Sequence, residues 1–334
     1  SASFNAVGNP YPSPIDVNDF FDANQDLISE QLWFWRKTNN SAESSYCTLT
    51  RFAFNANSAP GGTNDFAVDP NGVLNTGQGF FVNALSEGNL VFTNSMRRGN
   101  STTQFFREVP DNDTSRMWVN ISGANGAFSQ TVVGYTPQAT LGYDKGIDGR
   151  TLGEGSIKLY SIIEGHLLAI QGRPVFELSD VVPLGYKAAQ AGQYEFTLDH
   201  ADGIFAAEQD MYIYDSMTGT THNLRQGGYS FVTEAGTFEG RFFIVYSETL
   251  DNGSISADES VMVYNKERHI NVSSKTQNIV SVTIYDMCGR VLYDRGSINS
   301  QSFETNRLSL PEGVILVKVG LHDNAFVNKR IIIQ

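Results

Sequence analysis

The chain has 334 residues, of which 40% are hydrophobic, 23 are basic and 36 are acidic, giving a formal net charge of -13. This length is typical of two domains, and the hydrophobic content is sufficient for folded cores. No cluster of lysine or arginine stands out along the chain, which argues against a nucleic-acid partner. The apolar runs are far shorter than the roughly 20 residues that a membrane helix needs, so the sequence predicts no membrane insertion.

Short runs of Val, Thr, Tyr, Phe and Ile, separated by Gly, Asn, Asp and Ser, predict an all-β chain. The prolines at positions 10, 12 and 14 exclude regular structure before Ile15, and Asp16 can then cap one short helix. Strands follow at sandwich spacing, among them 31–36, 46–54, 79–84, 89–93 and 104–107. Two cysteines, Cys47 and Cys288, provide no disulfide framework.

We predict a large β-sandwich passenger region, built as one or two sandwiches and followed by a small separate sandwich. Residues 1–114 form a β-sandwich region with the short helix, and residues 115–255 form a second β-rich region that belongs either to the same domain or to another. The polar, acidic stretch 250–260 has the composition of a linker. The abrupt start at Ser1, without a signal peptide, suggests a processed or truncated end.

The C-terminal module, 261–334, consists of short strands with clear alternation. In 280–285 the apolar residues fall at every second position, which predicts that Val280, Val282 and Ile284 face a core. Ser281 and Thr283 are then expected to face outward. A turn is predicted next, because Gly289 can adopt a positive φ.

Four segments of this module carry a family resemblance: IYDMCGR (284–290), LSLPEG (308–313), VKV (317–319) and KRIII (329–333). They resemble the C-terminal sorting domain of substrates of the Bacteroidota type 9 secretion system. That resemblance implies an immunoglobulin-like (Ig-like) sandwich that is read by the outer-membrane type 9 translocon and its shuttle components. It implies a protein delivered through the periplasm to the cell surface or medium. The recognition residues it suggests are Asp286, Gly289, Arg290, Gly313, Lys318, Lys329 and Arg330. The basic residues among them have an alternative role, as charges that protect exposed strand edges from aggregation.

Seven upstream segments resemble a region that precedes the sorting domain in large flavobacterial surface proteins. They are 8–13 (GNPYPS), 77–82 (GQGFFV), 94–98 (NSMRR), 141–144, 168–173, 181–186 and 238–242. No activity is attached to that region, so the resemblance predicts routing and not chemistry.

Two features of the passenger suggest a ligand. Asp144 and Asp148 lie four residues apart around glycines, loosely like a calcium loop, although an ordinary polar turn is favoured because the other ligands of such a loop are missing. Trp33 and Trp35 project from one face of a strand and suggest either a glycan platform or core packing. Core packing is favoured, because Leu32 and Phe34 make the other face apolar too and so predict a central strand.

No catalytic residue is predicted. The five histidines are scattered, and no nucleophile motif accompanies them. We therefore expect a non-enzymatic secreted or surface β-protein without a cofactor, calcium being the one candidate ion. The alternative is a cell-surface adhesin or carbohydrate-binding module whose passenger binds surface glycans. A hydrolase is the weakest hypothesis because no motif supports it.

Overall fold

The computed structural model describes residues 3–40, 43–59, 72–99, 113–153, 155–206, 208–247, 261–266, 269–274, 277–286, 290–306, 308, 313–322 and 326–333. The chain forms two compact units, Ser1–Glu248 and Thr249–Gln334. Both are built from strands, which confirms the all-β prediction. The predicted regions 1–114 and 115–255 share the first unit up to residue 248, and the stretch 250–260 lies outside the described residues. No helix in the described ranges is long and apolar enough to span a membrane.

The N-terminal part of the first unit contains a five-stranded antiparallel sheet in the order β1-β7-β3-β4-β5. The elements, in chain order, are β1 (Ser3–Gly8), β2 (Ile15–Asp16), α1 (Val17–Ala23), β3 (Ile28–Asn40), β4 (Glu43–Leu49), β5 (Phe54–Asn55), β6 (Val73–Leu74) and β7 (Gly79–Ala84). Strand β3 is in the middle of the sheet, as its two apolar faces predicted. The predicted cap is also confirmed, since the Asp16 carboxylate accepts hydrogen bonds from the first turn of α1.

One face of this sheet, the inner face, buries a core against α1, β2 and β6. Alternate residues such as Phe34 and Phe80 point into it and meet Val17 and Phe20 of the helix. Two strand predictions fail nearby. The predicted strand 46–54 is interrupted after Leu49 by a turn in which Thr50 N–H donates to Ala53 C=O. Residues 89–93 form no strand, and the predicted strand 104–107 lies outside the described residues.

The rest of the first unit is an eleven-stranded sheet. Its strands are β8 (Ser115–Gly123), β9 (Phe128–Tyr135), β10 (Gly149–Arg150), β11 (Ile157–Ile163), β12 (His166–Arg173), β13 (Val182–Ala188), β14 (Gly192–Ala201), β15 (Tyr212–Asp215), β16 (Thr220–Asn223), β17 (Tyr229–Thr233) and β18 (Gly236–Val245). The order is β16-β15-β18-β13-β11-β12-β9-β8-β14-β17, with β10 paired to β12. The sheet folds over, so that Phe231 of β17 packs 4.5 Å from Phe242 of β18, ring centre to ring centre.

The C-terminal unit is a seven-stranded sandwich with a core of its own. Its strands are β19 (Val261–Lys266), β20 (His269–Ser274), β21 (Ile279–Asp286), β22 (Val291–Arg295), β23 (Ser302–Glu304), β24 (Gly313–Leu321) and β25 (Phe326–Ile333). The sheets are β19-β20-β23 and β22-β21-β24-β25, an Ig-like arrangement. Val282 and Ile284 enter the core as predicted, but Val280 is 37% exposed. A register shift between Ile279 and Ser281 explains this, because it turns Ile279 inward instead.

Candidate functional site

The outer face of the five-stranded sheet, opposite its buried core, carries the predicted tryptophan pair. Trp33 and Trp35 project from this face two residues apart, but their environments differ. Trp33 is only 1% exposed, and its indole N–H donates to the backbone carbonyl of Arg150 at 3.0 Å. Trp35 is 57% exposed. Because residues near β10 cover the Trp33 end of the face, Trp33 is unavailable to a ligand and the prediction of two glycan contacts reduces to Trp35.

Other aromatic residues lie on the same face as Trp35. The register pairs Trp35 with Tyr46 and Trp33 with Phe81, and the Tyr46 and Phe81 rings meet edge to face at 5.9 Å. On the neighbouring edge strand, Phe4 is half exposed and packs against Trp33 at 5.2 Å. We call Phe4, Trp35, Tyr46 and Phe81 the aromatic platform. Stacked or tilted rings on an open sheet can accept the apolar face of a flat ligand.

The predicted calcium pair has a different role in the structure. Asp148 is fully buried, and its two carboxylate oxygens accept hydrogen bonds from the backbone N–H groups of Asp144 at 2.7 Å and Gly172 at 2.8 Å. The Asp144 carboxylate turns back to the N–H and hydroxyl of Thr140. The two carboxylates therefore close a polar loop and do not converge on a cation. No group of three or more His, Cys, Asp or Glu residues suited to a metal occurs in the described ranges.

Burial raises the pKa of Asp148 to about 6, because the ionised carboxylate loses solvation there. Its two backbone donors oppose that effect only in part. Asp148 is therefore a buried acid that holds 144–148 against β12, at the point where a Cβ on Gly172 would approach Ile147 to 2.2 Å. The sequence gives no signal for this contact, because Gly172 lies 24 positions from Asp148 and residue spacing does not reveal that the two meet.

A buried charged network that the sequence did not predict lies between β9, β12 and the end of β18. Arg173 pairs with Asp180 at 2.5 Å, and the Tyr135 hydroxyl donates to the same carboxylate at 2.7 Å. The Tyr246 hydroxyl lies 2.7 Å from that of Tyr135. The Arg173 guanidinium lowers the pKa of Asp180 despite burial, whereas burial raises the pKa of Tyr135 and Tyr246. This arrangement is closed by its own partners and is structural.

One histidine makes a short contact with an acid. The imidazole of His200 lies 2.6 Å from the Asp199 carboxylate and stacks on Trp118, with ring centres 4.0 Å apart. The hydrogen bond from His200 lowers the pKa of Asp199. The pair sits on an exposed strand position, and no hydroxyl or thiol nucleophile is hydrogen-bonded to it among the described residues. It therefore lacks the third member that nucleophilic catalysis requires.

In the C-terminal sandwich, the recognition residues are spread over strands and turns. Lys318 lies on the outer face of β24, with its ammonium 4.2 Å from the centre of the Phe326 ring, and Phe326 is 58% exposed. Lys329 pairs in register with the buried Val317 on the edge strand β25, so it lies on the core-facing side. An inward charge on an edge strand is a known protection against edge pairing, which favours the protective role for Lys329.

The other five members of the predicted set are described to different extents. Arg290 is exposed just before β22, and Gly313 begins β24. Gly289 lies outside the described residues, as do the side chains of Asp286 and Arg330. Among the described members, Lys318 contacts Phe326, a residue that the sequence analysis did not single out.

A sequence family described as "Domain of unknown function (DUF8693)" matches residues 1–246, almost three quarters of the chain. The chain belongs to the DUF8693 family. A second family, "Domain of unknown function (DUF8694)", matches residues 250–333. We therefore call residues 1–246 the DUF8693 region and residues 250–333 the DUF8694 region. The change from one to the other falls at the division between the two compact units.

No curated protein matches this chain. Among solved structures, it is similar to "Polysaccharide Lyase BACCELL_00875", with 10% identity, a TM-score of 0.19 and coverage of 67% of this chain and 40% of the lyase. A β-D-glucuronidase of Dictyoglomus thermophilum has 10% identity and a TM-score of 0.17, over 55% of this chain and 44% of that one. Tp47, the 47-kilodalton lipoprotein of Treponema pallidum, has 10% identity and a TM-score of 0.19, with coverage of 100% of this chain and 91% of Tp47. The chain spans less than half of the lyase and the glucuronidase, and TM-scores this low carry no argument about function.

Proposed function

We propose that the DUF8694 region is an export address and that the chain is a substrate of the type 9 secretion system. The observation that carries the proposal is the sandwich in this region, whose core, as far as its residues are described, is made of the region's own side chains. A folded module of this kind suits a signal that is read after folding, and the four sequence segments that resemble the sorting domain fall within it. The DUF8693 region is then the passenger, delivered to the cell surface or medium.

The outer face of the four-stranded sheet offers a contact for the translocon. Lys318 and Phe326 form a charged and apolar pair on this face, and aromatic residues such as Phe are enriched in interfaces. The edge strand β25 has a neighbouring strand on one side only within its sheet, and the translocon would supply a strand on the other side, where the inward Lys329 keeps unrelated strands away. Affinity would come from the backbone, and specificity from the side chains.

The test is delivery of the full chain, behind a secretory signal peptide, in a flavobacterium with and without a working translocon. We expect surface or medium delivery only with the translocon, and periplasmic retention after deletion of 249–334. Phe326→Ala combined with Lys318→Ala should reduce delivery, whereas Val291→Ala, which removes an exposed apolar group from the opposite edge strand, should not. Delivery of the deletion at the normal level would contradict the proposal.

A second candidate function is glycan binding by the DUF8693 region, favoured by the exposure of Trp35 within the aromatic platform. A pyranose ring stacks on an aromatic face through its C–H groups, which requires an exposed ring of this kind. A glycan array with the full chain is the measurement. Trp35→Ala should abolish any signal, and Leu85→Ala, an exposed apolar residue beyond the platform, should leave it unchanged. A signal that survives Trp35→Ala would exclude the platform.

A further inference from the structure

A groove on the DUF8693 region is formed by three segments that are distant in sequence. Residues 12–14, 75–76, 94 and 97–99 line an open depression with a volume of about 670 Å³. This volume lies within the roughly 300–1,000 Å³ range of small-molecule sites. The adjoining residues Ile15, Leu74 and Met96 belong to the core under the inner face of the five-stranded sheet, so the groove is distinct from the aromatic platform on the outer face.

The walls of the groove are fixed by the buried side chain of Asn9 and by one backbone hydrogen bond. The Asn9 amide donates to the carbonyls of Ser13 at 2.9 Å and of Leu74 and Asn75 at 3.2 Å, while its oxygen accepts from Tyr11 N–H. Across the groove, Arg98 N–H donates to Pro14 C=O at 2.8 Å. The GNPYPS and NSMRR segments are therefore held in one arrangement before any ligand arrives, which lowers the entropy cost of binding.

Arg97 is the distinctive group in this groove. Six other described arginines lie within ion-pair distance of a carboxylate: Arg51, Arg98, Arg116, Arg173, Arg225 and Arg241. Arg97 has no such partner among the described residues. Its Nε donates to Ser13 Oγ at 2.9 Å, and its guanidinium stacks over the Tyr11 ring, 5.5 Å from the centre. The terminal nitrogens are thus held in orientation, and a guanidinium in that state matches the two oxygens of a carboxylate.

Polar side chains beside Arg97 are also without internal partners. The side chains of Asn75, Thr76 and Asn94 line the groove and make no hydrogen bond within the described part of the chain. Amides and a hydroxyl on concave walls can donate to and accept from several ligand hydroxyl groups at once. The groove therefore combines one carboxylate-binding group with several hydroxyl-binding groups.

We propose that this groove binds a sugar acid, with the carboxylate on Arg97 and the ring hydroxyls on Asn75, Thr76 and Asn94. The ligand is either a free uronate or the uronate unit of an acidic polysaccharide, because both present the same chemistry. The site is independent of the export address and of the aromatic platform. Arg98, neutralised by Asp16 and Asp19, positions the wall and does not bind the ligand.

The test is calorimetric titration of the full chain with galacturonic acid, trigalacturonate and galactose at low salt. Galacturonic acid should bind at least about tenfold more tightly than galactose, its counterpart without the carboxylate. Arg97→Gln should weaken uronate binding about tenfold, and Arg97→Lys, which keeps the charge but loses the planar fork, should weaken it about threefold. Arg295→Gln, which removes an exposed arginine from the DUF8694 region, is the matched control and should change nothing.

Tighter binding of trigalacturonate than of the monomer would assign the polysaccharide as the source, and equal binding would assign the free sugar acid. Both results support the site. Equal affinities for galactose and galacturonic acid would overturn it, as would uronate binding that Arg97→Gln leaves intact. The absence of uronate binding by the unaltered chain up to about 10 mM would also overturn it.

Discussion

In the DUF8693 region, buried polar side chains join segments that strand pairing leaves apart. Asn55 donates to the carbonyls of Gln130 and Ala169, and Asn24 bonds the backbone of Phe20 and Val91. In the C-terminal sandwich, by contrast, the core clusters consist of aliphatic residues from paired strands. The comparison teaches that the larger unit adds buried amide hydrogen bonds at its irregular connections to the packing of its cores. The described part of the smaller unit relies mainly on aliphatic packing, with the Thr305 hydroxyl accepting from Ile270 N–H.

The largest expected effect comes from breaking the buried ion pair of the first unit. Asp180→Ala leaves the Arg173 guanidinium buried without its partner, which typically costs about 3–5 kcal/mol. Urea unfolding followed by tryptophan fluorescence measures it, because Trp33, Trp35 and Trp118 all lie in this unit. Asp22→Ala, which removes an exposed partner of Arg51, should cost less than about 1 kcal/mol. Equal costs for the two variants would show that burial of the pair is not decisive.

The next effect tests packing in the C-terminal sandwich. Ile284→Ala removes a fully buried side chain and should lower the free energy of unfolding by about 3 kcal/mol. Val280→Ala, on the same strand, should cost less than about 1 kcal/mol, because the register shift leaves Val280 partly exposed. The loss of stability in each variant is measured by amide hydrogen exchange of β21 and β24 in the full chain. If Val280→Ala accelerated exchange as much as Ile284→Ala, Val280 would have to be buried, which would contradict the register shift between Ile279 and Ser281.

The smallest effect is the pH dependence due to Asp148. Its folded pKa of about 6 lies above the ordinary value of 3.8, so the folded state binds the proton more tightly than the unfolded state. The stability that this proton provides is complete below pH 3.8 and is lost as the pH rises through 6. The unaltered chain should therefore gain about 1 kcal/mol relative to Asp148→Asn between pH 7.5 and pH 5, measured by the same fluorescence unfolding. A difference that stays constant with pH would contradict the raised pKa.

Local features of the fold could be predicted from sequence because their causes are local. The Asp16 cap follows from one residue and the helix beside it, and the central position of β3 follows from two apolar faces on one strand. Core packing was the favoured interpretation of both tryptophans and is confirmed for Trp33, but Trp35 is exposed. The sequence could not show which of the two is covered, because the partner of Trp33 is the carbonyl of Arg150, 117 positions away. The position of Val280 could not be predicted either, since one register shift reverses the alternation.

The candidate sites show the same limit. Trp35 was identified because an aromatic residue on a strand is visible in the sequence, and its exposure depends on what the other half of the unit covers. The groove was not identified, although two of its segments, GNPYPS and NSMRR, stood out as motifs. Their meeting is produced by the buried Asn9 and by the contact of Arg98 with Pro14, which are tertiary hydrogen bonds.

The position of β18 has a consequence for the order of events during synthesis. This strand is the last of the first unit in sequence, yet it lies between β13 and β15 within the sheet. Until it leaves the ribosome, the earlier hairpin β15-β16 has no neighbour to join, and β13 presents an open edge. At about 5–20 residues per second, that edge stays unpaired for several seconds after β13 is made. We therefore expect the large sheet to be completed by insertion of an interior strand, and the open edge of β13 to be the place where an incomplete chain can pair with other chains.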